Sequence, residues 1–229
     1  MTPEPLEIVG VGAAGALQRL VANGDVASAD LVAAGSLAAV VERAGLDPDG
    51  PAARARYDRV ASIMERTDFL PARLGVRAAD ACALRSWLVR RGAALRGALA
   101  DYGASSEFAL RFSPPPSDND RGSRIDSGRA YLNAARERSA ARRAFVTAAE
   151  NVLDRAAAWP GAQGAKMSPA TADLGDPVRA SILFRRDAAL DDFVAALSDW
   201  ALRDLPSGAT ASARGPWPPF GAFDFATAT

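Results

Sequence analysis

The segment with the clearest chemical potential is Gly10-Val11-Gly12-Ala13-Ala14-Gly15. It follows the apolar stretch Leu6–Val9 and precedes a plausible helix. Three glycines at this spacing match the dinucleotide fingerprint, in which bare backbone approaches a pyrophosphate at a helix N-terminus. On that reading the chain would be a nucleotide-binding enzyme using Gly10, Gly12 and Gly15. The context does not support it. A second strand ending in an acidic residue belongs about 20 positions on, and that region reads Val32-Ala33-Ala34-Gly35-Ser36. A glycine-rich loop near the N-terminus is the expected meaning. Asp118-Asn119-Asp120 opens like a calcium loop, yet glycine falls at the fifth position and Arg129 stands at the twelfth, where glutamate is needed. It reads as a solvated linker. Asp191 and Asp192 are paired carboxylates on an exposed helix flank, with nothing to mark them as general acid and base.

The rest of the catalytic repertoire is missing. The chain has no histidine and one cysteine, Cys82. That excludes Ser/His/Asp and Cys/His nucleophiles, histidine-ligated metals, thiolate zinc clusters and internal disulfides. Cys82 lies in an alanine-rich helical stretch and reads as a small buried hydrophobe. No catalytic residue, cofactor or metal site is expected.

Arginine is the remaining resource. Lys166 is the only lysine, so nearly all positive charge is guanidinium, and arginine forks could bind carboxylates or phosphates if they cluster on one face. Arg136, Arg138, Arg142 and Arg143 fall close together, which raises an RNA-binding reading. Neither Glu107–Phe112 nor Val178–Arg185 carries the glycine-plus-aromatic pattern of an RNA-recognition sheet, and Glu137, Glu150 and Asp154 interleave opposite charge. Lys plus Arg and Asp plus Glu each total 27, so there is no cationic surplus for phosphates. A solvated helix face and no nucleic-acid partner are expected. Trp217-Pro218-Pro219-Phe220 and Phe223-Asp224-Phe225 put four aromatics in a short stretch. They must dock on the protein's own core or offer a sticky surface.

The elements that would position these residues suit a chain of 229 residues, 49% hydrophobic and 24% charged, the profile of a folded globular protein. Leu6–Val11 and Leu37–Val41 read as strands. Asp49-Gly50-Pro51 opens a helix carrying Tyr57, Val60, Ile63 and Met64, which Pro71 stops. Leu74–Arg77 is a short strand. Residues 78–102 form one amphipathic helix on Leu84, Leu88, Leu95, Leu99 and Tyr102. Glu107–Phe112 alternates as a half-buried strand. The proline-rich loop 113–123 cannot sit in a helix or a central strand. Asp126 or Ser127 caps a long helix to about Ala158, with Tyr131, Ala135, Phe145, Val152 and Trp159 as apolar contacts. Residues 163–173 form an irregular strand, Val178–Phe184 a clear one, and Asp187 caps a helix bearing Leu190, Phe193, Val194, Leu197 and Trp200. Ala209–Arg214 is a last strand. From Glu107 onward the order is βαββαβ, the ferredoxin-like order of a sheet covered on one face by two helices. The predicted class is α+β, with an irregular N-terminal α+β domain at 1–106 and a C-terminal ferredoxin-like domain at 107–229. No apolar run reaches the ~18 residues of a membrane span. Met1-Thr2-Pro3-Glu4-Pro5 lacks the basic start of a secretory signal, and an unpaired cysteine fits the cytoplasm.

Five local patterns, in order, carry a resemblance. They are Ala34–Val41 (Ala-Gly-Ser-Leu-Ala-Ala-Val-Val), Asp68–Gly75 (Asp-Phe-Leu-Pro-Ala-Arg-Leu-Gly), Glu107–Phe112, Gly128-Arg129-Ala130-Tyr131-Leu132 and Gly215-Pro216-Trp217-Pro218-Pro219-Phe220. Together the chain resembles the gas vesicle accessory family GvpF/GvpL over about Val32–Phe225. It departs in its aliphatic first strand and its lack of histidine. The resemblance implies a non-enzymatic, cytoplasmic, gas vesicle-associated protein. It would bind the major gas vesicle shell protein and other gas vesicle accessory proteins during assembly, limiting shell-protein aggregation. An apolar patch with a charged rim would suit such a partner. The Phe69–Gly75 turn is then expected to shape the N-terminal domain, with Arg73, Arg77, Trp217 and Phe220 as contact candidates. Arg73 could equally serve a structural ion pair.

Overall fold

Leu6–Ala13 forms β1, and all of it from Glu7 to Gly12 is buried. A strand buried on both faces reads as a continuous aliphatic run rather than an alternating one, which is why the segment looked loop-like only at its glycines. The computed structural model describes residues 5–27, 30–43, 50–116, 128–168, 176–188, 190 and 192–225. It is a mixed α/β chain with two antiparallel sheets, and six helices among the described residues. By their packing the residues fall into two units, Met1–Ser106 with Trp217–Thr229, and Glu107–Pro216.

In the first unit β1 continues into α1 (Ala14–Ala22), and is followed by β2 (Leu31–Ala34), β3 (Leu37–Arg43), α2 (Pro51–Arg66), β4 (Phe69–Pro71), β5 (Arg77–Ala78), α3 (Ala81–Arg90) and α4 (Gly92–Tyr102). The strand order is β2-β3-β1-β4, and β5 pairs with β1 beside β4. The register slips at Val9, where Ile8 faces Val41 but Gly10 faces Val40. This bulge moves Ile8 and Val11 onto one face with Val41, Ala39 and Leu37, while Val9 packs with Val40 and Ala38 on the other. The helices α3 and α4 supply Leu84, Trp87, Leu88 and Leu95 to the first layer, and α1 and α2 supply Leu17, Val60 and Ile63 to the second.

Several expectations are corrected here. The three glycines that match the dinucleotide fingerprint do not form a loop. Gly10 and Gly12 are strand residues paired to both β3 and β4. The space a side chain would need at Gly10 is filled by the Leu70 carbonyl and the Phe69 ring, and the first amide of α1, at Ala14, already donates to Ser36 O at 2.9 Å. α2 ends at Arg66 instead of running to Pro71, because Thr67 is extended and Phe69–Pro71 pairs with Gly10–Gly12 as an edge strand. Leu74 is in a turn, not a strand. The single helix expected over 78–102 is two, broken at Arg91, with Asp80 capping the first by accepting from Ala83 N at 2.8 Å. Cys82 is exposed, off the stripe that Leu84, Trp87 and Leu88 bury.

The second unit takes β6 (Ser105–Ser113), α5 (Gly128–Ala157), β7 (Ala162–Met167), β8 (Val178–Arg185), α6 (Phe193–Asp204) and β9 (Thr210–Trp217), with strand order β7-β8-β6-β9. Phe108, Leu110 and Phe112 of β6 and Val178, Ala180, Ile182 and Phe184 of β8 face Phe145, Ala149 and Val152 of α5 and Phe193 and Leu197 of α6. Phe184 and Phe193 meet edge-on at 4.8 Å, with Phe108 and Trp159 around them. Asp187 does not cap α6. It accepts from Arg185 Nε and Nη2 at 3.0 and 2.8 Å, and α6 begins only at Phe193. Of the contacts expected along α5, Tyr131 is exposed, whereas Phe145 and Val152 are buried. Arg142 is also buried, donating to Asp176 O at 2.7 Å, while Arg136 and Arg143 are exposed. The candidate caps Asp126 and Ser127, the loop residues 117–123 and Asp191 lie outside the described residues.

The terminal stretch from Trp217, assigned from sequence to the second domain, packs with the first unit. Phe225 stacks on Trp87 at 6.0 Å and Phe223 meets Phe225 at 5.0 Å. Arg91 lies over the Phe223 ring.

Candidate functional site

The Phe69–Gly75 motif is built around a buried charge. Arg56, on the inner face of α2, is 4% exposed and Glu7, in β1, is 1% exposed. Arg56 Nη1 donates to Glu7 Oε1 at 2.6 Å and to Glu42 Oε1 at 2.7 Å, and Nη2 donates to Ile8 O at 2.6 Å and Ala72 O at 3.3 Å. One guanidinium thus ties α2 to β1, to β3 and to the residue after Pro71. Glu7 Oε1 also accepts from Gly75 N at 3.0 Å. Ala72 N donates to Val9 O and Ile8 N to Val76 O, both at 2.8 Å, so the ladder resumes on either side of residues 73–75. Those three must bow out, and Gly75 closes the bow at φ +85°, a conformation that favours glycine. The bow presents Arg73 and Leu74 to the outside.

Two further segments meet it. Tyr57, next to Arg56 on α2, turns its ring edge to Trp217 at 5.4 Å and lies 6.4 Å from Phe220. Arg73 Nε donates to Phe220 O at 3.2 Å, across 147 residues of sequence. Gly50, Ala53, Arg54, Tyr57, Leu74 and Trp217 line a cleft of about 450 Å³, with Arg56, Ala72, Arg73 and Phe220 completing it. Its interior is aromatic and aliphatic. Arg54, which pairs with Asp58 at 3.3 Å and stacks over Tyr57, and Arg73 stand at its margin. Leu74 and Trp217, both lining the cleft, are 40% and 38% exposed.

Electrostatically the cleft is a neutral well with a cationic rim. Burial raises the Glu42 carboxyl above its ordinary 4.5, against the pull of Arg56 and with a push from Glu7. Burial likewise raises the Tyr57 hydroxyl above 10, the neighbouring Arg54 pulling the other way. Tyr57 is therefore a neutral phenol, able to donate a hydrogen bond. The carboxylates beside the cleft are engaged by arginine: Glu7 and Glu42 by Arg56, and Asp58 by Arg54. The arrangement suits binding an apolar side chain with an anionic neighbour.

The structure brings Arg73, Trp217 and Phe220 together. Among the described residues Arg73 makes no ion pair and instead holds the Phe220 backbone. Arg77 stands apart on β5, half-exposed, with Nε 3.8 Å from Glu7 Oε2. Sequence reasoning missed Tyr57, Arg54 and Leu74 as cleft residues and the whole Arg56–Glu7–Glu42 cluster.

A sequence model described as gas vesicle synthesis protein GvpL/GvpF matches residues 10–225. The chain belongs to the GvpL/GvpF family. Among curated proteins none matches the sequence. Among solved structures, the gas vesicle protein GvpF from Anabaena sp. PCC7120 is similar at TM-score 0.60 and 10% identity, covering 96% of this chain and 98% of that one. GvpF from Microcystis aeruginosa is similar at TM-score 0.57 and 10% identity, covering 96% and 99%. At that identity the likeness concerns the fold. Family membership supports an accessory role in gas vesicles, and the five motifs that suggested GvpF/GvpL fall within or beside the matched span. The Leu-Pro-x-Arg-Leu-Gly motif is the bowed turn of the cleft, and Trp217 and Phe220 of the Gly-Pro-Trp-Pro-Pro-Phe motif also line it. No helix among the described residues is long and apolar enough to cross a membrane.

Proposed function

We propose that this GvpL/GvpF protein is a non-enzymatic, cytoplasmic assembly factor that binds the major gas vesicle shell protein and other accessory proteins through the Tyr57–Leu74–Trp217 cleft, limiting shell-protein aggregation. The single observation that carries the reading is the cleft itself. Two family motifs far apart in sequence converge on it, leave Leu74 and Trp217 open to solvent, and surround an apolar well with Arg54 and Arg73. Aromatic side chains and arginine are the residue types from which interaction hot spots are usually built. Arg77, on the neighbouring β5, is a further contact candidate at the edge of the same turn. The two packing units are proposed to be separate domains, the second ferredoxin-like. Its element order βαββαβ and its strand order β7-β8-β6-β9 support that reading. Co-expression with the major shell protein, followed by size exclusion, tests the function. A soluble complex is expected, with the shell protein precipitating when this chain is absent. No complex, with the shell protein equally insoluble in both cases, would refute direct shell binding.

A further inference from the structure

We propose that the open face of the sheet in the second unit is a docking surface for an acid-rich polypeptide segment. The helices α5 and α6 cover one face only. On β6, Phe108, Leu110 and Phe112 point to the helices, so Glu107 and Arg111 lie on the other side. On β8, Val178, Ala180, Ile182 and Phe184 point inward, so Arg179, Leu183 and Arg185 point out. Lys166 of β7 is paired with Ser181 and shares its face. On β9, Ala211 and Ala213 pack on the core, so Arg214 lies outward.

Every strand thus contributes a cation to one face, five in all, against the single carboxylate of Glu107. In a chain whose charges balance at 27 and 27, this is segregation rather than excess. Arg111, Lys166, Arg179 and Arg214 are exposed, and none makes an ion pair among the described residues; only Arg185 has one, with Asp187. Four cations held apart by a rigid sheet, outside any ion pair and facing one carboxylate, are complementary to an anionic partner. Guanidinium forks match carboxylates in bidentate geometry. The face carries no aromatic side chain on which a base could stack, and stacking is what single-stranded nucleic acid needs from such a sheet. The observations therefore favour carboxylates on a polypeptide over phosphates on RNA. Four strands about 4.8 Å apart give a width near 20 Å, which an extended segment of about six residues crosses at ~3.4 Å each.

The test uses the full chain and a fluorescein-labelled oligoglutamate of about six to eight residues, the length that spans the sheet, read by anisotropy at low salt. The triple variant Arg111→Gln, Lys166→Gln, Arg179→Gln removes exposed charge from the face. The control Arg129→Gln, Arg136→Gln, Arg143→Gln removes the same charge from α5. Binding by the wild type, weakened by salt, lost at least tenfold in the sheet variant and held within twofold in the helix control is the expected result. Equal losses in both variants, no binding by the wild type, or tighter binding of an oligouridylate of the same length would each overturn the proposal. Both variants should melt with the wild type, because none of the six side chains is buried.

Discussion

Replacing Arg56 with methionine removes the cation that joins α2, β1, β3 and the bowed turn. Methionine is apolar and of similar length, so little cavity is left and the cost is chiefly electrostatic. Glu7, at 1% exposure, would keep only the Gly75 amide and the longer 3.8 Å pair with Arg77, and Ile8 O would lose its 2.6 Å donor. Breaking a buried ion pair by deleting one partner costs about 3–5 kcal/mol. That is a large part of the ~5–15 kcal/mol that holds a typical protein folded. For a chain of this size it corresponds to a fall in Tm of about 6–20 °C. Urea and thermal unfolding of Arg56→Met, Glu7→Gln and the double variant, followed by circular dichroism, give the test. The double variant should recover part of the loss, because the more deeply buried of the two carboxylates is then neutral and only Glu42 has lost its cation. A cost below about 1 kcal/mol for Arg56→Met, the value of an exposed pair, would refute the reasoning, as would strict additivity in the cycle.

Other perturbations follow from the same geometry. Gly10→Ala would drive a methyl group into the Leu70 carbonyl and the Phe69 ring; a loss of about 1–3 kcal/mol is expected, and an unfolding midpoint within error of wild type would contradict the strand assignment. Gly75→Ala meets no atom within 4 Å but must hold φ +85°, so its cost should be strain alone, about 1–2 kcal/mol; a stabilising substitution would show that the bow does not exist as described. Because burial holds the Glu42 carboxyl above its unfolded value, the native chain keeps this proton where the unfolded chain has lost it. Its contribution is then greatest below about pH 4.5 and falls as pH rises through the raised value. Glu42→Gln should flatten that part of the stability–pH profile; parallel profiles would count against it.

The long strands were legible because their residues fit their surroundings locally. Glu107–Phe112 alternates, and Val178–Phe184 does so with a buried phenylalanine at its end. The three-residue strand Phe69–Pro71 was not, since proline at a sheet edge reads like a helix stop. The first strand's glycines imitated a phosphate loop because their real partner, Phe69, lies far along the chain. Arg73, Trp217 and Phe220 could be proposed from motifs, but their meeting in one cleft depends on a hydrogen bond spanning 147 residues. Arg56, Glu7 and Glu42 were the least legible. Charged residues scattered through a sequence look like surface, and only the fold shows that one guanidinium sits between two carboxylates.

The most direct measurement repeats the co-expression with the major shell protein using Arg73→Glu combined with Trp217→Ala. Both residues are at the margin of the cleft, so the variant should unfold within a few degrees of the wild type. The expected result is a folded protein that no longer retains the shell protein in the soluble complex. A variant that folds and still holds the shell protein as the wild type does would contradict the central claim, that this cleft is where the gas vesicle partner binds.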